Sequence, residues 1–174
     1  NFFMNNDERF EIEIVILFAV VLMFMICAGL FESLKKPILV ISALPFSIMG
    51  IAIVFWYFDL QFNRGSYAGI LLLIGIAVNN SILMVDYISK KSISVKPEDI
   101  VAAAYMRIRP VMATTLTTIG GLIPIMIYSS DKFWQGIAFA VSGGLMFSAV
   151  MIILYMPLFY YYAERKSKEK AVKP

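Results

Sequence analysis

The chain has 174 residues, of which 60% are apolar, and it carries 15 Lys and Arg against 12 Asp and Glu. Water-soluble domains usually contain about 45–50% apolar and about 25% charged residues, so this composition excludes a soluble globular enzyme and a disordered chain. A single Cys and no His exclude a disulfide scaffold, zinc sites and Cys–His nucleophiles, and we predict no enzymatic activity, metal or cofactor.

Five apolar runs account for the excess of hydrophobic residues. Each is long enough to cross a hydrocarbon core of about 30 Å at about 1.5 Å per residue. The sequence therefore predicts an all-α fold, a polytopic transmembrane bundle of five spans. The predicted spans are residues 10–31, 37–58, 67–88, 109–128 and 136–162.

The distribution of Lys and Arg predicts the orientation of the spans. Twelve of the fifteen follow spans one, three and five, and only Arg9, Arg64 and Lys132 fall on the other side. Because basic residues are retained in the cytoplasm, we expect an outside N-terminus and a cytoplasmic C-terminus. Residues 163–174 then form a basic cytoplasmic tail next to membrane lipids, preceded by an aromatic anchor at 159–162.

The connections predict how the bundle is organised. Three of the four are short, which favours antiparallel neighbouring helices. In the longer third connection, Pro97 followed by Glu98 and Asp99 indicates a short helix that we expect to lie on the cytoplasmic face. The first residue is Asn and no signal peptide precedes the first span, so we expect this chain to be part of a longer protein.

Polar side chains inside the third span are the first candidates for function, because polar groups in hydrocarbon are costly. Asn79 and Asn80 lie near its midpoint, and Asp86 lies two turns nearer the cytoplasm on the face of Asn79. The alternatives are hydrogen bonding that packs helices together or a transport pathway. For Asp86, pairing with Lys90 at the membrane edge is the favoured interpretation.

The fourth and fifth spans carry two further patterns. In the fourth, Pro110 is expected at the helix start, and four Thr residues form a hydroxyl band that includes Thr114, seven residues after Arg107. In the fifth, small residues recur every four positions, which lets another helix approach closely. This predicted packing stripe consists of Gly136, Ala140, Gly144 and Ser148.

The positions of the acidic residues limit the mechanism. Apart from Glu11 and Glu13 at the start of the first span, Asp86 is the only one in an apolar run, and none is expected at the membrane midplane. Proton coupling needs a side chain that titrates under working conditions, and there is no His. The chain by itself therefore does not contain a complete proton-driven machine.

Four segments resemble the C-terminal part of resistance-nodulation-division (RND) transporters of the hydrophobe/amphiphile efflux branch. They are GLFESLKKP at 29–37, GILLLIGIAVNNSILMVDY at 69–87, RIRPVMATTLTTIGGLIPI at 107–125, and GGL at 143–145 with LYMPLFYYYAER at 154–165. They follow the family order and extend over nearly the whole chain.

This resemblance implies the eighth to twelfth membrane helices of a proton-coupled exporter in the bacterial inner membrane, with residues 1–9 ending a periplasmic domain. It also implies that the N-terminal half of the same protein packs against this chain. The full-length protein is then expected to form a homotrimer that works with a periplasmic adaptor and an outer-membrane channel. The expected cargo is amphiphilic or hydrophobic compounds, as in multidrug efflux, and no nucleic acid partner is expected.

The resemblance further implies roles for individual residues. The family's titrating aspartates lie in the fourth membrane helix, outside this chain. Asn79 occupies the position of a relay Lys, Asn80 matches the Asn that follows it, and Arg107 and Thr114 match the relay Arg and Thr. An amide at position 79 cannot supply the positive charge that stabilises an ionised carboxylate.

Two other functions remain open from the sequence. One is a protein-translocation or lipid-handling membrane module of the same superfamily, and the other is a structural membrane subunit without transport activity. A preceding half with adjacent aspartates in its fourth helix would favour the exporter.

Overall fold

A computed structural model describes residues 6–91 and 97–172, and within these ranges the regular structure is entirely helical. The helices are α1 (Asn6–Phe31), α2 (Lys35–Ile41), α3 (Ala43–Tyr57), α4 (Arg64–Lys91), α5 (Pro97–Tyr128) and α6 (Lys132–Val172). Residues 1–5 of the predicted periplasmic segment and 173–174 of the tail lie outside the described residues, as do 92–96.

Five helical stretches in the described ranges are long and apolar enough to cross a membrane, which confirms the predicted five-span bundle. They are Phe10–Phe31, Lys36–Tyr57, Arg64–Lys90, Ile100–Tyr128 and Lys132–Tyr162. The protein is therefore a multi-pass membrane protein.

The second span consists of two helices, because α2 and α3 are separated at Ser42. Pro45 has no N–H to donate to the carbonyl of Ile41, and its ring crowds that carbonyl. The Ser42 hydroxyl instead donates to Leu39 O at 2.6 Å. Pro45 thus produces the interruption expected of a proline within a helix.

The third connection differs from the expectation of a separate surface helix. Pro97 does begin a helix, but α5 continues without a break to Tyr128, so the prediction of a separate helix is wrong, as is the placement of Pro110 at a helix start. Pro110 lies inside α5, where it removes one backbone hydrogen bond. Membrane helices tolerate such a proline, and no glycine near residue 108 ends the helix.

Helix α6 is at the centre of the bundle and packs against α3, α4 and α5. Helix α1 contacts only α2 and α4 among the described elements, and most of its side chains are exposed. The hydrophobic core divides into two clusters, one around Val78, Met84 and Ile152 and the other around Ile51, Leu73 and Leu145. The most extensive contacts therefore join helices that are not consecutive in the chain.

Close helix contacts depend on glycine at two interfaces of α6. Next to α4, a Cβ on Gly144 would overlap the side chain of Leu73, and Ala140 packs against Gly69. Next to α3, a Cβ on Gly50 would lie 2.6 Å from Gly143 O. The four residues of the small-residue stripe are all buried, and Gly143 and Gly50 form a second close contact that the sequence analysis did not identify.

Candidate functional site

The C-terminal end of α4 and the N-terminal part of α5 are joined by an aromatic–cation contact. The Arg107 guanidinium carbon lies 4.4 Å from the centroid of the Tyr87 ring. Arg107 is partly buried, and its Nε has no hydrogen-bond partner among the described residues. Stacking of this kind holds a guanidinium in place through its planar face.

This contact fixes the relative depth of the polar residues above it. Asn80 precedes Tyr87 by seven residues, and Thr114 follows Arg107 by seven. The two helices run in opposite directions, so at about 1.5 Å per residue Asn80 lies about 10 Å further into the membrane than Tyr87, and Thr114 about 10 Å further than Arg107. Residues seven positions apart also lie near the same helix face. The structure therefore brings Asn80 and Thr114 to a similar depth on neighbouring helices.

The two asparagines differ in their surroundings. Asn80 is buried, with 5% of its surface exposed, whereas Asn79 is exposed. The next polar residue, Ser81, is buried and donates to Ala77 O at 3.0 Å. A polar side chain exposed in the middle of a membrane span is costly unless further protein or water covers it. Asn79 is therefore the residue of this helix that most strongly indicates such a cover.

The hydroxyl band on α5 bonds mainly to its own helix. Thr114 Oγ1 donates to Pro110 O at 3.1 Å and to Val111 O at 3.0 Å. Thr117 and Thr118 both donate to Thr114 O, at 3.0 and 2.8 Å. Thr114 and Thr117 are exposed, so the band adds exposed hydroxyl groups to the polar surface that begins at Asn79. We call Asn79, Thr114, Thr117 and Thr118 the α4–α5 polar residues.

Thr115 differs from its neighbours because it is buried and its hydroxyl has no partner in the described residues. Replacing Thr115 by Val removes an unsatisfied buried hydroxyl and keeps the shape, so we expect Thr115→Val to raise the free energy of unfolding by about 1 kcal/mol. Thermal unfolding in detergent measures this change. A lower melting temperature would show that the hydroxyl has a partner in the assembled protein.

Asp86 forms the local pair that the sequence suggested. Its Oδ2 lies 2.8 Å from Lys90 Nζ on the same helix, and Lys36 Nζ donates to Ser89 Oγ at 2.6 Å nearby. Lys36, Lys90 and Arg107 all lie at this end of the bundle. An exposed pair four residues apart contributes little stability, and the structure places Asp86 at the basic end rather than beside Asn79.

Two structural features were missed by sequence reasoning, one at this site and one at the opposite end of α4. The contact between Tyr87 and Arg107 joins residues 20 positions apart, and only tertiary structure brings them together. The cap of α4 did have a sequence signal: Asn63 Oδ1 accepts from Ser66 N at 2.9 Å while Ser66 Oγ accepts from Asn63 N at 3.2 Å. This is a reciprocal capping arrangement.

Two largely apolar cavities lie at helix junctions of the bundle. One, of about 450 Å³, lies between α1, the α2–α3 junction and α4 and includes Ile16, Leu44 and Ile74. The other, of about 500 Å³, lies between α5 and α6 and includes Ile108 and Leu154. Within residues 6–91 and 97–172, no three His, Cys, Asp or Glu side chains are grouped as metal ligands would be.

A bundle of five spans with polar groups exposed at mid-depth defines a polytopic membrane protein. The profile of the AcrB/AcrD/AcrF family matches residues 3–164. The chain therefore belongs to this family of RND efflux transporters, which confirms the resemblance noted in the sequence.

Similar proteins include multidrug resistance protein MdtC of Enterobacter sp. (strain 638), which is 32% identical over 157 residues. That alignment includes 87% of this chain and 15% of the relative. MdtC of Proteus mirabilis (strain HI4320) is 33% identical over 152 residues, with 84% and 15% covered. The chain thus spans about 15% of the length of these relatives.

The fold is also found in solved structures. The crystal structure of a heavy metal efflux pump matches with a TM-score of 0.80 and 25% sequence identity, and the match includes 90% of this chain and 16% of the pump. A second crystal form matches with a TM-score of 0.78.

Proposed function

We propose that this chain is the C-terminal membrane part, the eighth to twelfth helices, of a proton-coupled secondary exporter of amphiphilic or hydrophobic compounds. The observation that carries the proposal is the exposure of Asn79 and Thr114 on two helices that contact each other. Exposed amide and hydroxyl groups in a membrane span require a cover of protein or water. The N-terminal half of the full-length protein supplies that cover in our proposal, together with the titrating carboxylates.

Asn79 and Thr114 then act by hydrogen bonding and by ordering water. Neither is charged, and Arg107 is the cation that the resemblance assigns to the relay. Arg107 is held against Tyr87, so its charge is fixed at the cytoplasmic end of the path. A relay with a Lys at position 79 would instead have a positive charge near the midpoint of the third span.

Asn79→Lys tests the electrostatic part of this proposal. A cation at position 79 stabilises ionised carboxylates in the other half, so those groups take up protons only at lower pH. We expect the pH profile of proton-driven efflux to move to lower pH. The measurement is efflux by the full-length protein in reconstituted vesicles as a function of external pH, with Asn79→Gln as the uncharged control.

An unchanged pH profile for Asn79→Lys, in a protein that still exports, would show that position 79 does not face the titrating groups. Asn80→Leu adds a second test at the buried neighbour, where we expect reduced efflux with normal assembly. Wild-type efflux by Asn80→Leu would identify Asn80 as a packing residue.

The names of the similar proteins indicate two kinds of cargo, multidrug compounds and heavy metals. We favour amphiphilic or hydrophobic compounds because two largely apolar cavities lie at the helix junctions, and apolar cavities with few polar groups suit such molecules. Export assays with an amphiphilic dye and with a divalent metal ion distinguish the two classes.

The proposed location is the inner membrane, with a periplasmic N-terminus and a cytoplasmic C-terminus. A reporter fused after Lys170 is expected in the cytoplasm and one inserted beside Asp131 outside it, because basic residues concentrate at the end that contains Lys90 and Arg107. Alkaline phosphatase and fluorescent-protein fusions measure both positions. Two reporters on one side would contradict the five-span topology.

The proposed assembly is a homotrimer that works with a periplasmic adaptor and an outer-membrane channel. The exposed apolar surface of α1 is available for lipids and for the other membrane helices of the full-length protein. Cross-linking of the full-length protein in native membranes tests the number of subunits.

A further inference from the structure

A cavity of about 370 Å³ with mixed polar and apolar walls lies at the end of the bundle opposite Lys90 and Arg107. It is formed by the end of α3, the loop that follows as far as Asn63, and the first turns of α6. Its lining includes the rings of Phe55, Phe62 and Phe139 and the charged residues Asp59 and Lys132. The α4–α5 polar residues take no part in it.

Local chain geometry holds Asp59 in this position. Leu60 N donates to Phe55 O at 2.9 Å and Asp59 N donates to Trp56 O at 3.4 Å, which is the Schellman pattern at a helix C-terminus. Asp59 is the left-handed residue of this motif, with φ of 49°. Asp and Asn tolerate this conformation better than most other residues.

Two amide side chains of the cavity wall, those of Asn63 and Gln135, are engaged within the protein. Asn63 Nδ2 donates to Lys132 O at 2.8 Å, and its Oδ1 accepts from Ser66 N. Gln135 Nε2 donates to Ser129 O at 2.8 Å. The charged side chains of the lining are Asp59 and Lys132, and the amides of Asn63 and Gln135 hold the wall together.

Aromatic residues mark this end of the bundle as the membrane–water boundary. Trp56 and Tyr128 are each 83% exposed, and Tyr57 and Trp134 are also exposed. Both tryptophans of the chain lie here. Since exposed Trp and Tyr collect at the level of lipid headgroups, the cavity lies at the depth of the headgroups of one leaflet.

We propose that this cavity binds the headgroup of a zwitterionic phospholipid. The ammonium group of the lipid would lie towards the Asp59 carboxylate and the aromatic rings, which attract organic cations, and the phosphate would lie towards Lys132. A ligand with both charges matches a lining that has one residue of each sign. The acyl chains remain in the bilayer, where lipid is present at high local concentration.

Lipid retention by the full-length protein tests this site. The protein is placed in nanodiscs with equal amounts of phosphatidylethanolamine and phosphatidylglycerol, and retained lipids are identified by native mass spectrometry. We expect wild type to retain phosphatidylethanolamine preferentially and Asp59→Asn to lose roughly three- to fivefold of that preference, the size expected for one partly exposed ion pair. Lys132→Gln should lower the retention of both lipids.

Asp131→Asn is the matched control, because Asp131 is exposed, lies next to Lys132 and is outside the cavity lining. Asparagine can still accept the bond that Phe133 N donates to Asp131. Equal retention of the two lipids by wild type, or an unchanged preference in Asp59→Asn, would overturn the proposal.

A third outcome distinguishes a lipid from a soluble organic cation. If Asp59→Asn keeps the lipid preference but loses binding of added tetraphenylphosphonium, the cavity binds organic cations and the lipid assignment is wrong. Lipid retention is measured without transport, so its result does not depend on the export function proposed above.

Discussion

Gly50→Ala is expected to disrupt the contact between α3 and α6 although it adds only one methyl group. The new Cβ would lie 2.6 Å from Gly143 O and 2.5 Å from Phe147 Cβ. A backbone carbonyl in a helix cannot move independently of that helix, so the two helices must separate. We expect a loss of about 1–3 kcal/mol of stability, the usual cost of overpacking, measured as a lower melting temperature in detergent.

Gly75→Ala is the matched control, because no atom outside its own helix environment lies within 4 Å of the added Cβ. Alanine is the better helix former by about 1 kcal/mol, so this variant should be as stable as wild type or more stable. Gly144→Ala should be intermediate, since the overlapping atom belongs to the Leu73 side chain and a side chain can change rotamer. Equal melting temperatures for Gly50→Ala and Gly75→Ala would contradict the close approach of α3 and α6.

Thr114→Val is expected to reduce transport by the full-length protein about tenfold, the rate equivalent of about 1.4 kcal/mol. In our proposal the Thr114 hydroxyl serves a partner in the other half of the protein, and its removal leaves that partner unsatisfied. Valine keeps the shape of threonine, so expression and assembly should persist. The measurement is the initial efflux rate in reconstituted vesicles, normalised to the amount of assembled protein.

Thr117→Val provides the comparison for Thr114→Val. Thr117 is exposed on the same helix, and its hydroxyl donates to Ala113 O at 2.9 Å and to Thr114 O at 3.0 Å, as Thr114 donates to its own preceding carbonyls. We expect near wild-type efflux for Thr117→Val. Equal losses in both variants would mean that the hydroxyl band affects helix stability in general and that Thr114 has no separate role.

The role of α6 explains why glycine variants have the larger structural effects. Gly143 and Gly144 are consecutive and therefore point about 100° apart around the helix. Gly144 allows the approach of α4, and Gly143 allows that of α3. One helix can then lie at the centre of the bundle in contact with two others at short distance, which is how membrane helices gain packing contacts without a hydrophobic driving force.

Sequence patterns determined the number of membrane spans and their helical structure. Length and hydropathy suffice to predict a transmembrane span, because a helix satisfies its own backbone hydrogen bonds in lipid. The pair of Asp86 with Lys90 was likewise predictable, since residues four apart on a helix are neighbours. Asn79, Asn80, Arg107 and Thr114 could be identified as unusual polar residues in or beside the spans, but their mutual arrangement could not.

Only the tertiary structure decided which helices touch and which polar groups are covered. Sequence favoured contacts between consecutive helices, whereas the most extensive contacts join α6 to α3 and α4. Asn79 and Asn80 are adjacent in the chain, yet one is exposed and the other buried, because neighbouring positions on a helix face different surroundings. The physical reason is that hydropathy measures only the cost of placing a residue in lipid. Which face of each helix meets a neighbouring helix depends on close packing at Gly50, Gly143 and Gly144, and this packing exists only when the helices are assembled.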